Sequence, residues 1–330
     1  MAVSKKARFF LFGVMDYSFQ ALFDFIRFLA RFVPPRVLVA TAYGIGYVMY
    51  YIRMESRQWL LDALREALPE ISDERQLKKI ARKVFSAPLR SMLDPIFLER
   101  YSERVEETLR KTTDVDEIAR KVRETEAGGK GLIFFSPHLG GISIVHAISA
   151  RFGNPYTPLV RHPDYTPVPR YVWKLALLAQ SLGCDPEEPA FFTGPGSNVV
   201  PKVLEHLKKG KRVGITFDMM GSTVVDFFGR PTAIASGIAL FALESGAPIL
   251  PGYLARGKDP LTYRLYLCEP LQYEITGDRE ADMRNILNKV IEKGEEMIRK
   301  APEDWISWFG LRQWRERAKK ILEEKSPSDG

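Results

Sequence analysis

The sequence predicts an α/β protein: a mixed, largely parallel sheet flanked by helices, with an apolar N-terminal helical region that associates with membrane. Three observations predict it. Short β-branched and aromatic runs alternate with helix-periodic stretches through the second half of the chain. A Gly128-Gly129 break separates that alternation from a charged helical stretch before it. Residues 1–53 are apolar and aromatic without any strand alternation. With 330 residues, one large core carrying a helical extension fits as well as two domains.

Residues 1–53 come first. On a helix, Asp16, Gln20, Asp24, Arg27 and Arg31 fall within a stripe of about 80°. Phe9, Phe10, Leu11, Phe19, Leu22, Phe23, Phe25, Ile26, Phe28 and Leu29 cover nearly all the rest, and Lys5, Lys6 and Arg8 lead in. A helix with so narrow a polar stripe either packs into protein or lies in a bilayer interface. After Pro34-Pro35, the uncharged run Val37 to Ile52 falls short of the roughly 20 residues that span a hydrocarbon core. Interfacial anchoring is the preferred reading, with packing on the protein and a single N-terminal span as the alternatives. Asp16 breaks the first apolar run too early for a cleaved signal peptide.

Residues 54–127 are charged and helix-periodic, and Ser72-Asp73-Glu74 opens one helix with Leu77, Ile80, Ala81 and Val84 on one face. Residues 128–315 carry the alternation. Strands are predicted at Leu132–Phe135, Thr157–Val160, Val213–Phe217, Val224–Phe228, Ile249–Tyr253 and Tyr263–Cys268. Helices are predicted at Ile142–Arg151, Val168–Leu182, Val199–Lys209 and Ile234–Ser245. Residues 316–330 form a charged tail, disordered over Ser326–Gly330.

The net charge of +7 favours anionic partners: nucleic acid, lipid headgroups or phosphorylated substrates. No basic-aromatic recognition module is present, so nucleic acid is set aside. Cys184 and Cys268 stand alone without metal-ligand spacing, which points to a reducing compartment and no zinc site.

The chemistry concentrates at Ser136-Pro137-His138-Leu139-Gly140-Gly141. An apolar strand ends in a Ser-Pro break, delivers a histidine, and turns through two glycines into a helix. That puts an imidazole where it can act as a base, beside backbone N–H groups at Gly140 and Gly141 open to an anion. Ligands gather at the carboxyl ends of strands in open α/β sheets. Arg161-His162, Asp218 and Gly229-Arg230-Pro231 meet that rule beside His138. His146, on the apolar face of the next helix, reads as a core residue, and His206 as a surface one. Arg161 and Arg230 suit bidentate contact with phosphate or carboxylate, and local surface pairing is the alternative. Gly229 suits backbone geometry. Ser236-Gly237 opens a helix whose free N–H groups meet an anionic headgroup, or serves as a plain N-cap. The basic run Lys208, Lys209, Lys211 and Arg212 is a solvated face or a contact for phosphates or an acidic partner. Trp305, Trp308 and Trp314 fit a membrane-interface belt, with core packing as the alternative for the first two.

At these residues the chain resembles bacterial acyltransferases of the lysophospholipid type, in particular the lipid A lauroyl/myristoyl branch, which includes mycobacterial mannoside acyltransferases. The resemblance runs through Ile71-Ser72-Asp73-Glu74, Ser136-Pro137-His138-Leu139-Gly140 and Tyr156-Thr157-Pro158-Leu159-Val160-Arg161. It continues through Asp226-Phe227-Phe228-Gly229-Arg230-Pro231-Thr232-Ala233, Ser236-Gly237 and Ser245-Gly246-Ala247-Pro248 to Asp304-Trp305-Ile306-Ser307-Trp308 and Arg312. It implies transfer of a fatty acyl group from an acyl-carrier protein or coenzyme A thioester to a hydroxyl of a lipid A precursor, lysophospholipid or glycolipid. It implies no bound cofactor and a place on the cytoplasmic face of the bacterial inner membrane.

One departure matters. The family places an acid five residues after its histidine, where it orients the imidazole; here that residue is Ser143. In serine proteases, neutralising the orienting aspartate costs about 10,000-fold in turnover. Either another carboxylate substitutes, or the protein is an idle lipid binder on an acyltransferase scaffold. Asp218 is the expected substitute because it follows Gly214-Ile215-Thr216-Phe217 at the same sheet edge, and relatives carry an acid there. The bland alternative is an exposed turn cap. The expected catalytic set is therefore His138 as general base, with Asp218 or Ser143 orienting it. An apolar groove is expected to open beside it.

Overall fold

The computed structural model describes residues 5–165, 169–170, 172–174 and 190–325. The predicted helix Val168–Leu182 falls mostly outside them, and Cys184 and Ser326–Gly330 fall outside entirely.

Seven helices precede the sheet: α1 (Lys5–Leu29), α2 (Pro35–Ile52), α3 (Met54–Ala67), α4 (Glu74–Val84), α5 (Ala87–Arg100), α6 (Ser102–Thr112) and α7 (Val115–Glu126). Their boundaries follow local chemistry. Pro35 starts α2 at the one turn where a missing N–H costs nothing. The Asp73 carboxylate accepts from the Arg75 N–H at 2.8 Å, and Asp114 accepts from Glu117 at 2.9 Å, capping α4 and α7. Among the described residues no single helix is long and apolar enough to cross a membrane; α2 and α3 pass that test only as a pair, bent by 100°.

Among the described residues the main sheet has six strands: β1 (Leu132–Ser136), β2 (Thr157–Arg161), β3 (Phe191–Thr193), β4 (Arg212–Thr216), β7 (Ile249–Arg256) and β8 (Tyr263–Leu267). Their order is β3-β2-β4-β1-β7-β8, parallel except for β8, which returns antiparallel on β7. Helices α8 (Val145–Arg151), α9 (Val199–Lys208), α10 (Gly237–Ser245) and α11 (Arg279–Lys300) pack around it, as parallel crossovers require. The fold is thus the predicted mixed, largely parallel α/β sheet flanked by helices.

One predicted strand belongs elsewhere. Of Val224–Phe228, all but Phe228 lies in β5 (Met220–Phe227), which pairs only with β6 (Arg230–Ile234) as a separate antiparallel hairpin. Phe227 faces Arg230, so the loop is Phe228-Gly229, with φ of 53° and 70°. Both residues sit in the left-handed region that a two-residue hairpin turn of matching twist demands. Phe228 bears that strain because its ring stacks on Trp308 at 5.8 Å and its N–H donates to Glu295 at 2.6 Å. The strand β6 also shortens the predicted helix Ile234–Ser245 to α10.

An aromatic column runs from the sheet to the last helix, α12 (Trp308–Lys325). Phe135, Phe217, Phe227, Trp305 and Trp308 succeed one another with centroids 4.7–5.8 Å apart. Trp305 and Trp308 are fully buried and Trp314 nearly so, which makes all three core residues rather than an interface belt. The helix continues through Glu316 to Lys325, and Ala318 and Ile321 pack against Ala233.

Helix α1 is turned inside out. Its polar stripe faces protein: Asp16 accepts from the Arg170 N–H at 2.9 Å, Asp24 pairs with Lys174, and Arg27 with Glu99. The opposite face leaves Phe25 and Phe28 exposed at 56% and 52%, with Leu22 beside them, and Phe32, just past the helix, is 72% exposed. Helix α2 continues the exposed face through Tyr47, Val48, Tyr51 and Ile52. Fully burying one such side chain is worth about 1.5–3 kcal/mol, so a face of this extent left in water forgoes several times that.

A candidate active site at the sheet edge

The register of β1 and β4 pairs Ser136 with Thr216. His138 and Asp218 each lie two residues further, so adjacent parallel strands deliver an imidazole and a carboxylate to the same edge. His138 Nδ1 is 2.8 Å from Asp218 Oδ1, and the His138 backbone N–H donates to Oδ2 at 2.9 Å. The Trp305 indole N–H donates to the same Oδ2 at 2.6 Å. Asp218 is fully buried, which removes its reading as an exposed turn cap. The His138 side chain keeps a quarter of its surface accessible, and its Nε2 has no hydrogen bond among the described residues. Burial by itself would lower the basicity of that ring. The charge of Asp218 and its hydrogen bond outweigh burial and leave the His138 pKa above the ordinary imidazole value.

His138 lines a cavity of about 970 Å³, at the upper end of the roughly 300–1,000 Å³ typical of ligand pockets. Its walls are mostly aromatic and aliphatic, with Phe134, Phe135, Ile215, Phe217 and Phe241 among them, and Phe19 of α1 also lines it. The expected apolar groove beside His138 is present.

Ser143 lines the cavity too, but its hydroxyl donates to the Ser91 carbonyl at 3.1 Å, not to His138. The backbone groups of Gly140 and Gly141 are likewise spent: Gly140 N–H donates to Asp304 O at 3.2 Å and Gly141 N–H to Leu254 O at 2.7 Å. They are therefore not open to an anion. Gly140 has φ +60°, and a Cβ there would meet Leu254 O at 2.1 Å, so the turn tolerates no side chain. The N–H groups of Ile142 and Ser143, one turn on, have no acceptor among the described residues.

The remaining expected residues divide. Arg161 ends β2, is exposed, and lines the cavity without an ion pair among the described residues. Gly237 lines it as well, at the start of α10. Ser236 makes no cap; its hydroxyl accepts from Thr223 at 3.0 Å. Gly229 and Arg230 sit at the hairpin tip, where Arg230 pairs with Glu66 at 2.8 Å. They do not line the cavity, because β5 left the parallel sheet. The basic run around Lys208–Arg212 lies before β4, at the opposite end of that strand from Asp218. His206 is buried, with Nε2 3.3 Å from Arg212 O, rather than at the surface.

Sequence reasoning missed a buried ionic network behind the His138 loop. Arg256 Nη2 lies 2.5 Å from Asp94 and Nη1 3.3 Å from Asp304; Arg90 pairs with Asp304, and the Tyr263 hydroxyl donates to Asp94 at 2.8 Å. Burial works against the charge on Arg256, but the two carboxylates raise its pKa above the usual value. The signal was there: Asp94 interrupts the apolar run Met92–Leu98 and Arg256 ends the apolar strand β7. Among the described residues no cluster of three or more His, Cys, Asp or Glu side chains is placed to hold a metal.

The fold is a largely parallel α/β sheet whose edge presents a histidine–aspartate pair to a large apolar cavity. The chain belongs to the bacterial lipid A biosynthesis acyltransferases, whose family model matches residues 12–316. No curated protein sequence matches the chain.

Proposed function

We propose that this acyltransferase moves a fatty acyl group from a thioester, carried by acyl-carrier protein or coenzyme A, to a hydroxyl of a lipid A precursor or related membrane lipid. The observation that carries the reading is the 2.8 Å contact between His138 Nδ1 and Asp218 at the cavity. With Nδ1–H donated to the carboxylate, Nε2 keeps its lone pair for the acceptor hydroxyl. As that oxygen attacks the thioester carbonyl, Nε2 takes its proton and Asp218 stabilises the imidazolium. The tetrahedral intermediate then expels the thiolate, which takes the proton from His138 as the ester forms. The free N–H groups of Ile142 and Ser143 suit the oxyanion, and Arg161 suits an anionic part of either substrate. The acyl chain fills the apolar cavity.

The exposed faces of α1 and α2 lie in the bilayer interface in this reading, which turns their cost in water into a gain. Phe19 belongs to both α1 and the cavity lining, so lipid enters from the membrane side. The idle lipid-binder reading rested on Ser143, and the carboxylate on His138 Nδ1 favours the enzyme. The test is purified protein with acyl thioester and lysolipid or lipid A precursor acceptors. Ester formation abolished in His138→Ala supports the proposal, while tight lipid binding with no turnover overturns it. Phe25→Asp with Phe28→Asp should release the protein from vesicles in flotation, with no loss of fold by circular dichroism.

A further inference from the structure

We infer that Trp305 is a positioning residue of this site, holding the Asp218 carboxylate against His138, and that the segment Asp304–Ile306 is the strap that aims it. The inference deepens the proposed function and rests on His138 acting as the base.

Three backbone contacts tie the strap to the histidine loop. Leu139 bridges to Trp305, Gly140 N–H donates to Asp304 O at 3.2 Å, and Ile306 N–H donates to His138 O at 3.1 Å. The strap is held in turn from behind, where Arg90 and Arg256 grip the Asp304 carboxylate. Between these anchors Trp305 has no exposed surface, and its indole N–H has a single acceptor, Asp218 Oδ2 at 2.6 Å. A buried donor without an acceptor is strongly unfavourable, so this bond fixes the indole and the carboxylate together.

The geometry gives each carboxylate oxygen a separate task. Oδ2 receives both the indole N–H and the His138 backbone N–H, while Oδ1 is left for Nδ1. Asp218 is the one charged side chain acting on His138 among the described residues; Arg90, Asp94, Arg256, Tyr263 and Asp304 are engaged with one another behind the strap. Without the indole donor the carboxylate is no longer held against Nδ1, so the imidazole should hold its proton less tightly.

The experiment is NMR titration of His138 in the full chain, which needs no turnover. Trp305→Phe should lower the His138 midpoint by about half a pH unit, because a carboxylate no longer held against Nδ1 stabilises the imidazolium less. The acid limb of acyl transfer should move with it, as a fall in kcat at unchanged KM. Trp308→Phe is the packing control: its indole touches Trp305 but donates to Pro302 O, so the midpoint should stay. If Trp305→Phe does not fold, the wild-type indole N–H resonance of Trp305 decides, since it should titrate with the His138 midpoint. An unmoved midpoint, a shift shared with Trp308→Phe, or an indole signal blind to His138 overturns the inference. A protein whose signals titrate together but which transfers no acyl group keeps the positioning and overturns the proposed function instead.

Discussion

Two histidines face the same cavity from neighbouring stretches of chain, and their surroundings drive them in opposite directions. His138 sits at the sheet edge with Asp218 on Nδ1, and its pKa is raised. His146, on α8 in the cavity wall, has no hydrogen bond among the described residues, and burial pushes its pKa down to about 4. Both rings are largely enclosed, so burial cannot be what raises the basicity of one of them. A buried carboxylate at hydrogen-bond distance does that, and it reaches His138 through strand register. His146 has no carboxylate partner among the described residues; it stays neutral near pH 7 and packs, as its place on an apolar face predicts.

The largest expected difference between the two is in turnover. Replacing a general base typically costs about 100- to 10,000-fold, so His138→Ala should fall near the upper limit in kcat. His146→Leu should stay within a few-fold in the same assay. Comparable losses in both would erase the distinction. Next, Asp218→Asn should lower kcat by up to about 10,000-fold by removing the charge that stabilises the imidazolium. It should also drop the His138 midpoint below the ordinary imidazole value, since burial is then unopposed.

Acid stability sharpens the contrast further. His138 has a raised folded pKa, so its contribution is fully present below about pH 6.5 and is lost as pH rises through the folded value. For His146 the sign is reversed. The unfolded ring protonates near pH 6.5 and the folded one only near 4, so stability is lost as pH falls between those values. The shift corresponds to about 3 kcal/mol once both forms are protonated. His146→Leu should flatten that part of the denaturation profile between pH 6.5 and 4. A profile unchanged by the substitution would remove His146 from the comparison. The smallest effect belongs to Ser143→Ala: with its hydroxyl on Ser91 O, it should cost about 1 kcal/mol of stability and leave the His138 midpoint where it is.

Much of this was legible in the chain. Periodicity located β1, β2, β4 and β8 to within a residue at each end, and the start of β7, because buried strands are short, β-branched and bounded by turns. The Ser-Pro-His-Leu-Gly-Gly break announced the site, and its motifs announced the family. The narrow polar stripe of α1 was equally plain, but amphipathicity carries no sign. A stripe reads the same whether it faces water or faces Arg170, Lys174 and Glu99.

What the sequence determined by itself was which residues lie at the end of which strand, since backbone period and turn chemistry are local. Tertiary structure decided which strands are neighbours. It put β4 beside β1 in register, so that Asp218 and not Ser143 meets His138. It took β5 out of the sheet, which carried Gly229 and Arg230 away from the cavity, and it brought Trp305 back across 87 residues onto Asp218. Contacts at such separations depend on the packing of every layer between them, and no window of sequence contains that information.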